Sequence, residues 1–250
     1  MDADDSMTGE RVALVTGASR GIGAGIAQQL LDRGLRVAGT YRTGGELVEK
    51  LAAVHPDRVL PVPFDLAAPE GAGAAIEQVT GQWGRLDTLV LNAAVWHGGK
   101  LAKIDLDDWW QVVEANLRST AALVQAAIPW LTRGASPSPG VVLVGSAVGS
   151  VGFPGDTAYA SAKAAAVGFA RSLAKELAPK GVRVNVLAPG FVDTDMTSAI
   201  PDAARARIAD ATLLGRFGTV EEIARAAVFL AEDATFCTGA VLAADGGWTL

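Results

Sequence analysis

The sequence predicts an α/β protein with a doubly wound, Rossmann-like fold: a seven-stranded parallel sheet with helices on both faces. Three observations carry that prediction. Short runs rich in Val, Leu and Ala alternate with longer helical patterns along nearly the whole chain. Most of these runs are too apolar to keep one face in water, and strands buried on both faces of a parallel sheet read this way. A glycine-rich turn, residues 17–23, separates the first run from the first helical stretch. Folds of this kind hold an anion at that place.

The strand runs are Val12-Ala13-Leu14-Val15, Arg36 to Thr40, Val59 to Val62, Leu86 to Leu91, Val141 to Val144, Val182 to Leu187 and Ala240 to Leu242. Helical stretches fall near 22–33, 45–54, 70–82, 106–132, 157–178 and 220–231. Parallel neighbours cannot be joined by a tight hairpin, so the helices read as right-handed crossovers. The alternation persists from end to end, so residues 11–250 read as a single domain behind a loose polar leader, residues 1–10. Gly134 to Gly140, with Pro137 and Pro139, reads as a turn between a helix and a strand.

Composition narrows the class. The 250 residues are half hydrophobic and carry a formal net charge of −6. That length buries a sizeable core without staples. No basic block stands out, so no nucleic-acid partner is expected. Cys237 is the one cysteine, so no intrachain disulfide forms. His55 and His97 are the only histidines, and with one cysteine they assemble no metal cluster at the usual spacings. The acidic start is unlike a secretory signal, and no apolar run approaches the roughly 18 residues a bilayer span needs. The expectation is a cytoplasmic protein with no membrane partner.

Thr16-Gly17-Ala18-Ser19-Arg20-Gly21-Ile22-Gly23 follows the first strand run directly. Glycines at 17, 21 and 23 let the backbone turn sharply and approach a pyrophosphate. The helix that opens there offers unpaired N–H groups and a positive dipole end. An acid at the end of the second strand would bind the ribose of NAD, but Tyr41 and Arg42 stand there. A guanidinium binds a 2′-phosphate that a carboxylate would repel. Arg20 and Arg42 without an acid therefore favour NADP(H).

Tyr159-Ala160-Ser161-Ala162-Lys163 spaces Tyr and Lys four residues apart, on one face of a helix. A free phenol titrates near 10 and donates protons at neutral pH. A nearby ammonium is expected to stabilise the phenolate and lower that value. Ser146 ends the fifth strand run, thirteen residues before Tyr159. Strand ends are where ligands bind in open α/β sheets, and its hydroxyl can meet an oxygen on which charge builds.

The TGxxxGxG spacing, with these residues behind it, resembles the classical branch of the short-chain dehydrogenase/reductase family. The likeness covers Arg11 to Gly247 and implies a nicotinamide dinucleotide cofactor and a catalytic set Asn116, Ser146, Tyr159, Lys163. In such a set Asn116 holds a water that links Lys163 to solvent. It also implies cofactor contacts from Gly17, Ser19, Arg20, Gly21, Ile22 and Gly23, from Tyr41 and Arg42, and from Asp65 and Leu66. Further contacts fall on Asn92, Ala93 and Ala94, on Tyr159 and Lys163, and on Pro189, Gly190, Val192 and Thr194. Ala94 departs from the usual Asn-Ala-Gly by one methyl group.

Asn185-Val186-Leu187-Ala188-Pro189-Gly190, Asp195-Met196-Thr197, Gly215-Arg216-Phe217 and Asp245-Gly246-Gly247 resemble, within the family, the 3-oxoacyl-acyl-carrier-protein reductases. That likeness implies reduction of a ketone, with a carrier-protein or coenzyme A thioester as substrate, and a homo-oligomer (tetramer or dimer). Val95-Trp96-His97-Gly98-Gly99-Lys100 departs from the reductase pattern, and the basic patch that would dock a carrier protein is thin. A free small or cyclic ketone, a polyketide intermediate and a polyol are left open, as is a catalytically silent NADP-binding sensor or scaffold. Trp96, His97, Ser146 and Phe191 are the candidate substrate contacts.

Overall fold

The computed structural model describes residues 10–134 and 136–250. Seven parallel strands form one sheet, in the order β3-β2-β1-β4-β5-β6-β7. They are β1 (Val12–Val15), β2 (Arg36–Tyr41), β3 (Val59–Pro63), β4 (Thr88–Leu91), β5 (Gly140–Val144), β6 (Arg183–Pro189) and β7 (Val241–Ala244). The crossovers contain α1 (Gly21–Asp32), α2 (Glu46–Val54), α3 (Ala72–Trp83), α4 (Leu106–Leu131) and α6 (Thr157–Leu177). Between β6 and β7 lie α7 (Asp195–Ser198), α8 (Asp202–Ala211) and α9 (Val220–Val228), and a short α5 (Val148–Val151) follows β5.

Alternation along each strand divides the core into two layers. In β1, Val12 and Leu14 join α3, α4 and α6 through Ile76, Leu123 and Leu173. Ala13 and Val15 point to the other face and meet α1 and α9 through Ile26, Leu30, Ala224 and Ala227. Chain order reverses between β1 and β4, because β2 lies on one side of β1 and β4 on the other. The crossovers leaving those strands part there and open a crevice at the carboxyl ends.

The seven expected strands are present, and three short helices join the six expected helical stretches. These are α5, α7 and α8; two of them are single turns with no room for an amphipathic repeat, and α8 buries only Ile208. Of the expected polar leader, Glu10 is described and accepts from Arg36 Nε at 3.0 Å; residues 1–9 lie outside the described residues. Among the described residues no helix is long and apolar enough to cross a membrane, and no group of three metal-ligating side chains occurs.

The helix expected to run through 231 changes character at its end. α9 stops at Val228 and the chain continues as a π-helical turn, Phe229–Asp233. The buried Arg183 guanidinium collects the carbonyls freed there: Nη1 donates to Leu230 O at 2.7 Å and Ala234 O at 3.1 Å, and Nη2 to Ala231 O. Arg183→Leu keeps the volume and strips these acceptors of their partner. Each buried unsatisfied group costs about 1–3 kcal/mol, so we expect a loss of roughly 3 kcal/mol or more. Urea unfolding checks this; a change under about 1 kcal/mol would mean that water replaces the guanidinium.

Candidate active site

The crevice is a cavity of about 550 Å³ at the carboxyl ends of β1, β2, β4, β5 and β6. On one side stands the glycine turn, which needs its glycines for stated reasons. Gly17 and Gly21 have φ of +66° and +55°, a region that favours glycine. A Cβ on Gly23 would lie 2.2 Å from Gly17 O and 2.5 Å from Asn92 Nδ2, so the backbone passes too closely for any side chain. Asn92 Nδ2 donates to Thr16 O at 3.0 Å, while Asn92 N and Ala93 N both donate to Thr16 Oγ1 at 2.9 Å. No side chain caps α1, and Ser19, Arg20, Gly21 and Ile22 line the cavity where that helix begins. The turn is a bare backbone cradle at an uncapped helix N-terminus, which suits a phosphate.

At the end of β2, Tyr41 and Arg42 line the same cavity, with Thr40 and Thr43 beside them. The Tyr41 ring folds over Gly45, and its hydroxyl lies 3.4 Å from Glu49 Oε1. Arg42 is exposed. Arg20 reaches across the mouth to Asp195, 3.8 Å away, and both side chains are largely in solvent. Asp65 and Leu66 line the wall after β3, where Asp65 Oδ1 also accepts from Ala67 N at 2.9 Å. Asn92, Ala93, Ala94, Pro189, Gly190, Val192 and Thr194 complete the lining on the β4 and β6 side. Phe64 and Thr197 belong to it as well; sequence reasoning missed them, and only three-dimensional proximity brings them in.

On the other side of the cavity stand Ser146, Tyr159 and Lys163. Gly145 N donates to Leu187 O at 2.7 Å and Ala147 N to Pro189 O at 2.8 Å, so β6 fixes the backbone on both sides of Ser146. The Ser146 hydroxyl accepts from Val148 N at 3.2 Å. Tyr159 and Lys163 sit one turn apart on α6, with Lys163 Nζ 5.4 Å from the centre of the Tyr159 ring. The buried ammonium donates to Val144 O at 2.7 Å and thereby ties α6 to the end of β5.

The electrostatics depart from the expectation that Lys163 lowers the tyrosine's pKa. Burial, and then the Asp156 carboxylate, push the Tyr159 phenol well above its usual value. Burial also drops the Lys163 ammonium from 10.5 to about 8. Desolvation outweighs attraction here because the cation is itself costly to bury and one neutral carbonyl is its hydrogen-bond acceptor.

Three expected site residues lie elsewhere. Asn116 does not line the cavity. Its Nδ2 donates to Val95 O and Val112 O, both at 2.7 Å, and its Oδ1 accepts from Val95 N at 3.3 Å. The amide thus grips the β4–α4 loop. Phe191 turns away into an aromatic cluster with Phe153, Phe217 and Trp248. His97 is exposed and outside the lining. Trp96 does line the cavity, half-exposed. A second depression, between α8 and α9, pairs its own charges, Arg205 with Asp193 and Arg216 with Glu222.

Comparison with known proteins agrees with this geometry. A family profile described as enoyl-(acyl carrier protein) reductase matches residues 17–249. The chain is 37% identical over 238 residues to the 3-oxoacyl-(acyl-carrier-protein) reductase FabG of Haemophilus influenzae, covering 95% of this chain and 97% of that protein. FabG of Escherichia coli K12 is likewise 37% identical over 240 residues, 95% and 96% of the two chains. A crystal structure of a blue fluorescent protein from a metagenomic library, in complex with NADPH, matches with a TM-score of 0.88. It is 35% identical, and the match covers 96% of this chain and 98% of that one. The chain belongs to the short-chain dehydrogenase/reductase family, whose members are oxidoreductases acting on carbonyl and alcohol groups.

The lowered pKa of Lys163 has a consequence for stability. Between about pH 8 and 10.5 the unfolded chain holds a proton on this lysine that the folded protein has released. Stability contributed by this group therefore rises with pH across that window. The gain is on the order of 2–3 kcal/mol. Lys163→Met lacks it, so urea unfolding of both proteins from pH 7.5 to 10.5 should show the native protein gaining on the variant. Parallel curves would mean that the ammonium is not desolvated.

Proposed function

We propose that this protein reduces a ketone to a secondary alcohol with NADPH, and that a 3-oxoacyl thioester, linked to a carrier protein or coenzyme A, is the substrate it handles best. The convergence of Ser146, Tyr159 and Lys163 on the cavity that also holds the glycine cradle is the observation that carries this reading. The end-to-end likeness to FabG supports the thioester.

The residues fit the cofactor. The bare turn from Gly17 to Gly23 and the open start of α1 would hold the pyrophosphate. Arg20 and Arg42 would bind the 2′-phosphate, with no carboxylate at the end of β2 to oppose it. Asp65 and Leu66 would meet the adenine, and Asn92 to Ala94, Pro189, Gly190, Val192 and Thr194 the nicotinamide half. NADPH, when bound, supplies the hydride.

The protein's own groups supply the rest. Ser146 donates a hydrogen bond to the carbonyl oxygen as negative charge builds there. Tyr159 delivers the proton to that oxygen. Its raised pKa keeps the phenol protonated at neutral pH, which suits proton delivery and hence reduction. Lys163 holds positive charge beside the phenol and restrains the backbone below Ser146 through Val144 O. Asn116 is a positioning residue that fixes Val95 and the loop behind it.

A free small or cyclic ketone is a second reading, favoured by the bulky Trp96 at the cavity wall. We also propose a cytoplasmic homo-oligomer. Support for the oligomer comes from β7, an open sheet edge on which Val241 is exposed, with exposed Phe236 and Leu250 nearby in sequence.

NADPH oxidation followed with acetoacetyl carrier protein, acetoacetyl coenzyme A and cyclohexanone tests the reading. If neither thioester is reduced while the cyclic ketone is, the thioester assignment fails. Tyr159→Phe should bind NADPH normally and lose about 10²–10⁴-fold in kcat; retained turnover would move the proton transfer to another group. Arg42→Ala removes one charge-assisted contact worth about 1.5–3 kcal/mol, so NADPH should bind tenfold more weakly or worse while NADH is little changed. Equal affinity of the native protein for the two, by fluorescence titration, would remove the case for NADPH.

A further inference from the structure

The wall of the cavity beside Tyr159 is built by an unusual use of a helix cap. Asp156 occupies the N-cap position of α6, yet its side chain accepts no hydrogen bond from the helix it begins. An N-cap aspartate normally bonds to the amides of the first turn and stabilises the helix. Here Oδ1 accepts instead from Trp96 Nε1, 3.0 Å away on the β4–α4 loop. Two further bonds join this loop and the start of α4 to the residues flanking Asp156. Gly99 N donates to Gly155 O at 2.8 Å, and Trp109 Nε1 donates to Thr157 Oγ1 at 3.0 Å. Gly98 makes the arrangement possible, since a Cβ there would lie 2.5 Å from Trp96 Cζ2.

Trp96 is therefore fixed at its polar edge and packed against a bare glycine; it is half-exposed, and it lines the cavity that contains Ser146 and Tyr159. Val95 and Met196 line the same cavity and give it further apolar surface. A fixed indole presents a large flat face. A planar ring stacks on it without freezing rotors, whereas an alkyl chain loses rotor freedom to make the same contact.

We infer that Trp96, held by Asp156, is the specificity-determining residue of this site, and that it selects ketones whose substituent on the side away from the ester or thioester is a flat apolar ring. The inference rests on the ketone-reducing reading and narrows its substrate class. Trp96 would touch the substrate; Asp156 acts through Trp96 and is a positioning residue.

Two matched substrate pairs test it: ethyl benzoylacetate against ethyl acetoacetate, and the corresponding N-acetylcysteamine thioesters. The readout is the ratio of kcat/KM, ring over methyl, within each pair. The native protein should favour the ring about tenfold or more, and Trp96→Ala should lower the ratio about tenfold, mainly through the KM of the ring substrate. Trp96→Phe, which keeps an aromatic face, should restore most of the preference. Asp156→Ala frees the indole and should give an intermediate ratio; Asp156→Asn keeps an acceptor oxygen and should stay near the native value. A native preference for the methyl substrates overturns the inference, and so does a ratio within twofold of native in both Trp96→Ala and Asp156→Ala. If Trp96→Ala fails to fold, the comparison of Asp156→Ala with Asp156→Asn decides. If NADPH binds and none of the four substrates is reduced, the ketone-reducing reading itself falls, and this inference with it.

Discussion

The Thr16 hydroxyl holds together the place on which the site depends. It lies at the carboxyl end of β1, fully buried, and accepts from Asn92 N and Ala93 N at the end of β4. The two strands are neighbours at the point where chain order reverses, so the chain leaves them in different directions. Without a cross-link the backbone there would be left half-paired, and each unmet buried group costs about 1–3 kcal/mol. Thr40 does the same on the other side, its Oγ1 accepting from Gly17 N at 3.1 Å and its carbonyl from Ala18 N at 2.9 Å. Three strand ends are thus fixed to one another before any ligand arrives. The glycine turn inherits that rigidity, and the room between Gly17 O and Gly23 is set by it.

The opposite side of the crevice is governed by charge. The Lys163 ammonium is out of water and donates a hydrogen bond to Val144 O. Its lowered pKa and the raised pKa of Tyr159 have the same origin, since burial disfavours the charged form of each. Asp156 adds to the effect on the tyrosine and none of it comes from the lysine. A phenol and an ammonium kept in this state are both protonated at neutral pH. A bound cation or a developing oxyanion beside them would shift that balance, because both interactions are strong where water is excluded.

Much of the architecture was legible in the sequence because its signals are local. A buried parallel strand is apolar on both faces, so β1 and β5 read as near-continuous apolar runs, and β4 and β6 do so around a few polar residues, Thr88, Arg183 and Asn185. The segment from Gly17 to Gly23 read as a turn that opens a helix, because positive φ at Gly17 and Gly21 and close backbone approach at Gly23 both demand glycine, and the structure turns through Arg20 and starts α1 at Gly21. Tyr159 and Lys163 fall on one face of α6 by spacing alone. What escaped depends on side-chain direction or on distant partners. Asn116 lies at the expected depth of α4, but nothing in its neighbours says that its amide turns to Val95. Phe191 joins Phe153, Phe217 and Trp248, three residues scattered over almost a hundred positions. The sign of the Tyr159 shift turns on burial, to which Asp156 only adds, and the depth of a side chain in the finished fold is not written in its neighbours in sequence. Helices α5 and α7 are single turns, too short for a 3.6-residue repeat to show.

The two halves of the site also differ in what fixes them. Ser146 is bracketed by backbone bonds from Gly145 and Ala147 to β6, and Lys163 holds α6 to a backbone carbonyl. The two bonds around Ser146 are backbone to backbone and do not depend on the identity of nearby side chains, whereas the tie from α6 depends on Lys163 itself. The wall opposite is different. Trp96 and Trp109 reach Asp156 and Thr157 by side-chain bonds, and the loop is otherwise tied through Asn116 and the single bond from Gly99 to Gly155. A change at position 96, 98 or 156 alters the wall without moving the sheet. The two sides of the crevice therefore answer differently to substitution, one through the sheet and α6 and the other through the loop that carries Trp96. That loop is one that the sheet positions but does not pair, which is where a fold of this kind tolerates change.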